Sequence, residues 1–242
     1  MPTFSISPSI DTYPLGAPSS GLGEFNAVGV TTPWALSAPP VGSSISWVKY
    51  RAPLQKAKGA LRVVDVPAAP GDSRSLSAVV VYPAFTAGQV LLADMWVRLV
   101  SLSSGTGVAF SSRVAAGTAA AAYLGARSFS NSAASAVLTP GSGWTRLTGY
   151  MTFAELQGQY ATTGSALAYL QTAAVGASAG VTYTYDVGRL THYAVATPTV
   201  NLDLVRPDGT LVRAALPGTF DDDTSKLIRQ ATLGQNYVVE TP

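Results

Sequence analysis

The sequence predicts an all-β protein: an antiparallel β-sandwich with an extended N-terminal arm and a short C-terminal hairpin-plus-helix appendage. Hydrophobic residues make up 47% of the 242 residues, which is too many for a disordered chain, while charged residues make up only 12%. The 23 glycines and 16 prolines indicate frequent turns. Segments in which apolar and polar residues alternate recur through the middle of the chain, with no convincing helix between them, which favours antiparallel strands.

Residues 1–44 are predicted to form an extended arm. Proline, which fixes φ and donates no backbone hydrogen bond, recurs throughout this segment, so the segment does not suit the interior of a sheet. Apolar residues along it indicate that the arm lies against a surface: Phe4, Ile6, Leu15, Phe25, Val28 and Trp34. That surface belongs either to its own domain or to a neighbouring subunit, and both alternatives stay open.

Residues 45–198 are predicted to form the sandwich, because an alternation with a period of two begins at Ile45. The predicted strands are Ile45–Tyr50, Ala60–Val66, Ser75–Tyr82, Gln89–Leu102, Val108–Val114, Ala121–Phe129, Trp144–Phe153, Ala166–Thr172 and Val181–Tyr193. In the longest of them, Asp94, Trp96 and Arg98 share one face, and apolar residues occupy the other.

Residues 199–242 are predicted to form an appendage with two parts. Val200–Arg206 and Thr210–Leu216 flank a Pro-Asp-Gly turn and predict a hairpin. The acidic residues 221–223 precede basic residues and then Gly234, a pattern that predicts a short helix with an acidic N-terminus. The spacing of these acids does not fit the alternating ligands of a calcium loop.

Composition excludes several classes of function. The chain has no cysteine and one histidine, His192, which excludes thiol nucleophiles, disulfides, iron–sulfur clusters and multi-histidine metal sites. We expect His192 to be exposed or hydrogen-bonded. A net charge of +2 predicts no nucleic-acid partner. No apolar run is long enough for a membrane span, and the first residues show no secretory signal pattern.

Catalysis is not expected either. Glycoside hydrolysis needs two carboxyl groups that project into one cleft. The acids within the later strands are Asp94, Glu155 and Asp186, and nothing in the sequence places two of them together. We therefore expect a protein that is not an enzyme.

Three segments, in order, resemble the jelly-roll carbohydrate-binding modules of the galactose-binding-like type. Val90–Leu99 resembles a long strand of those modules, and Leu138–Phe153 resembles the segment that carries their characteristic tryptophan, here Trp144. Val181–Leu190 resembles their closing strand, which carries an acidic residue at the position of Asp186. The resemblance covers most of the sandwich and implies that it is a jelly roll.

The resemblance also implies a role. Such modules occur in secreted glycosidases and in tail and other virion proteins of bacteriophages. Because no catalytic domain accompanies the sandwich, the resemblance implies a virion structural protein, a minor tail protein, that acts in assembly, with host-surface recognition as a further expectation. The alternatives are a capsid decoration or head-fibre protein and a free-standing module that binds a bacterial surface glycan. The implied partners are other virion proteins, and we expect a homo-oligomer, since low charge suits protein–protein contacts.

The candidates for stacking on a sugar ring are four aromatic residues: Trp96, Tyr150, Tyr183 and Tyr185. Strand alternation places each of them on a face with charged residues, which predicts an outward orientation. The alternative is that these rings pack the sandwich. Trp144 follows a glycine-rich turn and is expected to be a structural plug. The resemblance further implies a structural calcium at Asp186, although segment 23–26 is an imperfect match to the second acidic segment of the family.

Overall fold

The computed structural model describes, with short gaps, residues 25–49, 59–129, 134–196, 199–205 and 211–217. The elements found there, in chain order, are β1 (Trp34–Leu36), β2 (Ser44–Val48), β3 (Ala60–Asp65), β4 (Arg74–Ala78), β5 (Gln89–Leu102), β6 (Gly107–Gly117), β7 (Tyr123–Ser128), β8 (Ser135–Leu138), β9 (Thr145–Thr152), α1 (Phe153–Gln159), β10 (Ser165–Val175), β11 (Tyr183–Ala196), β12 (Thr199–Val205) and β13 (Leu211–Pro217). Every strand pair whose register the structure defines is antiparallel.

Two sheets form the body of the protein and confirm the predicted β-sandwich. The first sheet has six strands in the order β1-β4-β10-β6-β7, and β8 pairs with the same edge of β6 that β7 uses. The second sheet has five strands in the order β2-β3-β11-β5-β9. Strands that are neighbours in the chain repeatedly lie in opposite sheets, as in β3 and β4 or β5 and β6.

The core lies between the two sheets and is formed by alternate residues of each strand. In β5, Ala93, Met95 and Val97 are completely buried, as the alternation predicts. The two sheets contact each other directly where the rings of Phe110 on β6 and Tyr185 on β11 pack edge to face, with centroids 5.4 Å apart. Each fully buried aliphatic or aromatic side chain contributes about 1.5–3 kcal/mol to the free energy of unfolding.

The helix α1 was not predicted, although the sequence contains its start signal. The alternation predicts a strand through Phe153, whereas the strand ends at Thr152 and the helix begins at Phe153. Thr152 and Glu155 form a capping box: the Thr152 hydroxyl accepts from the Glu155 N–H at 3.2 Å, and the Glu155 carboxylate accepts from the Thr152 N–H at 2.7 Å. The sequence signal for the start of this helix is a threonine followed three residues later by a glutamate. The strand-like alternation of the preceding residues obscured it.

Two edge strands, β1 and β8, were also not predicted as strands. They have three and four residues, which is too short for a period of two to be recognised. β1 lies within the segment predicted as the arm, and Trp34 pairs with Ala78 at the edge of the first sheet. Most of the remaining arm lies outside the described residues, so its contacts stay a prediction.

The predicted C-terminal hairpin is confirmed. β12 and β13 pair from Thr199 opposite Pro217 to Val205 opposite Leu211. They belong to a compact unit separate from the one that holds the sandwich, Gly16–Ala194. The helix predicted after residue 223 lies outside the described residues. Within the part of the chain that the structure describes, there is no helix with the length and apolar character to cross a membrane.

His192 lies in the core, so of the two expected alternatives the exposed position is wrong. Its side chain on β11 is 1% exposed and packs edge to face against Phe129, with ring centroids 6.1 Å apart. Complete burial lowers the pKa of His192 from 6.5 to about 3, because the charged imidazolium loses its hydration.

This burial predicts a pH-dependent stability. Between about pH 6.5 and pH 3 the unfolded chain binds a proton at His192 that the folded chain does not bind. The free energy of unfolding should therefore be highest above pH 6.5 and fall by about 1.4 kcal/mol per unit as the pH decreases towards 3. Urea unfolding of the wild type and of His192→Leu across this range measures the effect.

The difference between the two profiles of unfolding free energy against pH gives the contribution of His192 alone. Asp65 is also buried, and burial raises its pKa, but Asp65 is present in both proteins and cancels in the difference. The wild type should lose stability faster than His192→Leu as the pH falls. Parallel profiles would contradict a neutral, buried His192.

Candidate functional site

Six charged side chains cross the outer face of the second sheet and form what we call the arginine–aspartate ladder. Its members are Arg62 on β3, Asp94 and Arg98 on β5, Arg146 on β9, and Asp186 and Arg189 on β11. The two aspartate side chains are completely buried, and the arginine side chains are 17–34% exposed. The ladder therefore ties four of the five strands of this sheet together through their side chains.

Asp186 accepts hydrogen bonds from two guanidinium groups. Arg62, directly opposite Asp186 in the β3–β11 register, donates from Nε to Oδ1 at 2.8 Å and from Nη2 to Oδ2 at 3.0 Å. Arg98 donates to Oδ2 from Nη2 at 2.6 Å and from Nε at 2.9 Å. Charge-assisted pairs of this kind are about twice as strong as neutral hydrogen bonds, which offsets the cost of burying the carboxylate.

Asp94 has the same arrangement with the other two arginines. Arg146 Nε donates to Oδ1 at 2.9 Å, and Arg189 Nη1 donates to Oδ2 at 2.8 Å. The Thr191 hydroxyl also donates to the backbone carbonyl of Asp94 at 3.3 Å. Both oxygens of each ladder carboxylate are thus occupied by protein donors, and this is an arrangement that stabilises the fold.

The outward orientation predicted for Tyr183 and Tyr185 is wrong. Both rings are completely buried in the core, where they stack on each other with centroids 6.1 Å apart. Val187 and Leu190 are also core residues, yet residues three apart in a regular strand point to opposite faces. The alternation of β11 therefore breaks between them, at Gly188, so Arg189 points outward while the tyrosines point inward.

Tyr183 takes part in a buried polar cluster between the two sheets. Its hydroxyl donates to Asp65 Oδ2 at 3.2 Å and lies 3.0 Å from the Thr172 hydroxyl on β10. Arg74 Nε on β4 lies 3.5 Å from Asp65 Oδ1. Burial raises the pKa of Tyr183 and of Asp65, because their charged forms are disfavoured away from water. As folded, neither Tyr183 nor Tyr185 has an exposed ring face for a sugar.

Of the remaining aromatic candidates, Trp96 lies on the ladder side of the second sheet, as does Trp144. The guanidinium of Arg146 lies 6.0 Å from the ring centroid of Trp96, and that of Arg98 lies 5.1 Å from the ring of Trp144. Each indole is half-buried and has an arginine over its ring. Ligand contact at Trp96 stays a prediction. Tyr150 lies on β9 opposite Leu92, but its side chain is outside the described residues.

The surroundings of Asp186 do not fit the calcium that the family resemblance implies. Calcium takes six to eight oxygen ligands, whereas the oxygens of Asp186 are held by two cationic side chains that would repel a third cation. In the described part of the chain, no group of three His, Asp or Glu side chains is arranged to hold a metal ion.

A second set of side chains lies on the outer face of the first sheet, and we call it the tyrosine face. It comprises Tyr82, Tyr123, Tyr169, Arg113 and Gln171. Tyr169 on β10 lies directly opposite Arg113 on β6, so both point away from the core. The Arg113 guanidinium lies 5.9 Å from the Tyr169 ring centroid and donates to Gln171 Oε1 at 2.8 Å. The Tyr169 hydroxyl hydrogen-bonds the hydroxyl of Ser75 on β4.

Tyr82 and Tyr123 lie beside this pair. The Tyr82 ring lies over Gly117, where an added Cβ would meet Tyr82 Cδ1 at 3.0 Å, so the glycine makes room for the ring. Tyr123 pairs with Gly117 on the next strand and is 58% exposed. Partial burial and the neighbouring Tyr169 and Tyr160 hydroxyls raise the pKa of Tyr123, and the charge of Arg113 opposes this shift.

Small residues form the floor between these tyrosines. The outward positions of β6 and β7 are occupied by Ala109, Ser111, Ala115, Gly117, Ala126 and Ser128. Ala115 is 2% exposed and Gly117 is buried beneath the Tyr82 ring, whereas Ala109, Ser111 and Ala126 are half-buried and Ser128 is exposed. An arginine and a glutamine at fixed positions supply hydrogen-bonding groups beside the rings. This arrangement of aromatic walls with a few oriented polar groups is typical of binding sites for small ligands.

Sequence reasoning missed the tyrosine face for a definable reason. The Ala166–Thr172 segment is apolar at most positions, so its alternation does not show which residues point outward. Arg113 lies near the end of a segment that we recognised only as far as Val114, whereas β6 continues to Gly117. The register between β10 and β6, which brings Tyr169 and Arg113 together, is a property of the folded sheet.

Comparison with known proteins finds similarity to solved structures only. No family model and no curated protein matches the sequence. The chain is similar in structure to the CBM22-1 xylan-binding domain of Paenibacillus barcinonensis Xyn10C, at a TM-score of 0.45 and 15% identity, covering 73% of this chain and 94% of that one. For the C-terminal family 22 carbohydrate binding module of Clostridium thermocellum Xyn10B, the TM-score is 0.41 and the identity 10%, covering 72% and 91% of the two chains.

A third similar structure comes from a bacteriophage. It is the enzymatically active domain of tailspike protein 4 of bacteriophage CBA120, at a TM-score of 0.47 and 6% identity, and the match covers 74% of this chain but 21% of that one. Because these TM-scores lie below 0.5, we transfer no activity from these proteins to this chain.

The ladder predicts a large effect for loss of one buried carboxylate. Asp186→Asn leaves Arg62 and Arg98 without their shared negative charge, so the free energy of unfolding should fall by about 3 kcal/mol or more. Arg62→Gln should cost less, because the Arg62 side chain is 34% exposed and Asp186 keeps Arg98. Urea unfolding of both variants measures the difference.

Two outcomes would contradict this interpretation. Equal stability of Asp186→Asn and the wild type would show that the ladder contributes nothing. A rise of several degrees in the melting temperature on addition of calcium, reversed by a chelator, would show that the protein binds calcium and would support a site at Asp186. We expect neither calcium nor chelator to change the melting temperature.

Proposed function

We propose that this protein is a non-enzymatic glycan-binding module that binds its ligand on the tyrosine face of the first sheet. The observation that carries the proposal is the grouping of Tyr82, Tyr123 and Tyr169 on one outer face of the sandwich. Pyranose rings have flat C–H faces that pack well on aromatic rings, and their hydroxyl groups need oriented hydrogen-bonding partners. Arg113 and Gln171 supply such partners beside Tyr169.

The tyrosine face is better suited to a sugar than the arginine–aspartate ladder. On the ladder side, arginines already lie over both indole rings, and the carboxylate oxygens are engaged by protein donors. On the tyrosine face, Tyr123 is 58% exposed, and the neighbouring rings of Tyr82 and Tyr169 are half-buried. Tyrosine keeps few rotatable bonds, so ordering these rings in a complex costs little conformational entropy.

The engagement of the acids supports a role without catalysis. Asp94 and Asp186 are each neutralised by two arginines, and Glu155 caps helix α1. A glycosidase pair requires one carboxyl group that is free to donate a proton and a second that faces the reacting carbon. The three acids expected as candidates are occupied by contacts that stabilise the fold.

We further propose that the module belongs to a virion structural protein, in keeping with the sequence resemblance, with a minor tail protein as the first choice. Two features support this. The low charge of the chain, 12% of residues, suits surfaces that are covered by other subunits. The separate C-terminal unit that contains the β12–β13 hairpin supplies a second element for contacts with partners, including further copies of this chain.

The glycan proposal predicts that the tyrosines carry the binding. On an array of neutral and anionic bacterial surface polysaccharides, Tyr123→Ala and Tyr169→Ala should each weaken binding by about tenfold or more, because each removes an aromatic platform. Tyr169→Phe keeps the ring and should bind within a few-fold of the wild type.

A variant on the opposite sheet provides the control. Trp96→Ala removes an aromatic ring from the ladder side and should leave binding unchanged. Loss of binding with Trp96→Ala but not with the tyrosine variants would place the ligand on the second sheet. Absence of wild-type binding to every polysaccharide would refute the glycan proposal.

The virion proposal predicts that the protein is part of an assembled particle. Purified particles should contain the chain at a fixed stoichiometry, measured by quantitative mass spectrometry, and an antibody against it should label one location by electron microscopy. A chain found only free in solution, as a monomer and absent from particles, would contradict this part of the proposal.

A further inference from the structure

Arg113 is the only charged side chain at an outward position on the described strands of the first sheet. The remaining outward positions of β4, β6 and β10 carry alanine, serine, glycine, leucine, tyrosine, glutamine or valine. Arg74 points into the core towards Asp65. Arg127 pairs with Val114, a core position, and donates to the Glu155 carbonyl oxygen, so it also lies off this face. The positive charge of the tyrosine face therefore comes from one guanidinium group.

The four ladder arginines are also partly buried, so their ion pairs provide a comparison for Arg113. Each of them pairs with a buried aspartate at 2.6–2.9 Å. Arg113 has no carboxylate within ion-pair distance among the described residues. A partly buried charge that lacks a counter-ion costs free energy, and such an exception in a native structure calls for a reason.

The contacts of Arg113 hold its guanidinium in place without neutralising it. Nη1 donates to Gln171 Oε1 at 2.8 Å, and Nη2 donates to the Ala126 carbonyl oxygen at 3.0 Å, and both acceptors are neutral. Nε is buried and has no hydrogen-bond partner among the described residues. The group is therefore a fixed cation beside Tyr169, with its charge still available to an incoming ligand.

We infer that the ligand of the tyrosine face is an anionic glycan, and that Arg113 pairs with an oxyanion on it, either a carboxylate of an acidic sugar or a phosphate. The inference rests on the proposed function and names the class of its ligand. A planar guanidinium pairs with carboxylate and phosphate groups alike, with strong directional hydrogen bonds. An anion at this position supplies the counter-ion that the protein does not provide.

The test compares polymers that differ in charge. Isothermal titration at about 0.15 M ionic strength is carried out with oligogalacturonate, with its neutral methyl ester, and with a glycerol-phosphate teichoic acid. The wild type should bind at least one anionic polymer about tenfold or more tightly than the methyl ester. The polymer that shows the preference identifies the carboxylate or the phosphate as the group recognised.

Arg113→Gln should remove the preference by weakening binding of the anionic polymer more than binding of the neutral one. Affinity for the preferred anionic polymer should fall by about tenfold or more, whereas affinity for the methyl ester, which loses a hydrogen-bond donor but no ion pair, should fall by only a few-fold. Arg127→Gln is the matched control, because it removes the same charge from a neighbouring strand, off the tyrosine face. It should keep the full preference, and melting temperatures of both variants confirm that they fold.

The outcomes separate this inference from the proposed function. If the wild type binds charged and neutral polymers with equal affinity, the proposal of an anionic ligand is wrong. It is also wrong if Arg113→Gln weakens binding of all polymers equally. In both cases the proposal that the tyrosine face binds a glycan still stands. The same loss of preference in Arg127→Gln would show a general charge effect and also overturn the role of Arg113. Failure of the wild type to bind any of the polymers, together with a negative array, refutes both.

Discussion

The second sheet depends on the burial of two carboxylates, each shared by two guanidinium groups. A buried aspartate is tolerated only when its charge is matched, and here the match comes from side chains on neighbouring strands. Asp186 on β11 is matched from β3 and β5, and Asp94 on β5 is matched from β9 and β11. A slip of any of these strands by one residue would move a charge to the core face. The ladder therefore fixes register as well as position.

The two outer faces of the sandwich use arginine for different purposes. On the second sheet, charge is balanced within the protein and the aromatic rings are covered by cations, which is the pattern of a structural face. On the first sheet, rings and one guanidinium surround short side chains, and the balancing charge is missing among the described residues. The contrast lies within one molecule, so it does not depend on any likeness to other proteins.

Sequence reasoning recovered the architecture because alternation and turn residues are local signals. The sandwich, strand β5 and the C-terminal hairpin follow from such patterns, as does the shared face of Asp94, Trp96 and Arg98. It failed at Gly188, where the alternation of β11 breaks, and so placed Tyr183 and Tyr185 on the wrong face. The tyrosine face could not be predicted, because the pairing of β10 with β6 brings Tyr169 beside Arg113, 56 positions earlier in the chain.

The edges of the first sheet are occupied by short strands. β1 has three residues at one edge, and at the other edge β7 and β8, with six and four residues, divide the length of β6 between them. Exposed edges of long, flat strands recruit other chains, and many proteins prevent this with lysines or other charges. Because charged residues make up only 12% of the chain, few are available to protect these edges. Fragmentation of the edge gives this protein a geometric protection against aggregation, and joining β7 and β8 into one continuous strand would remove it.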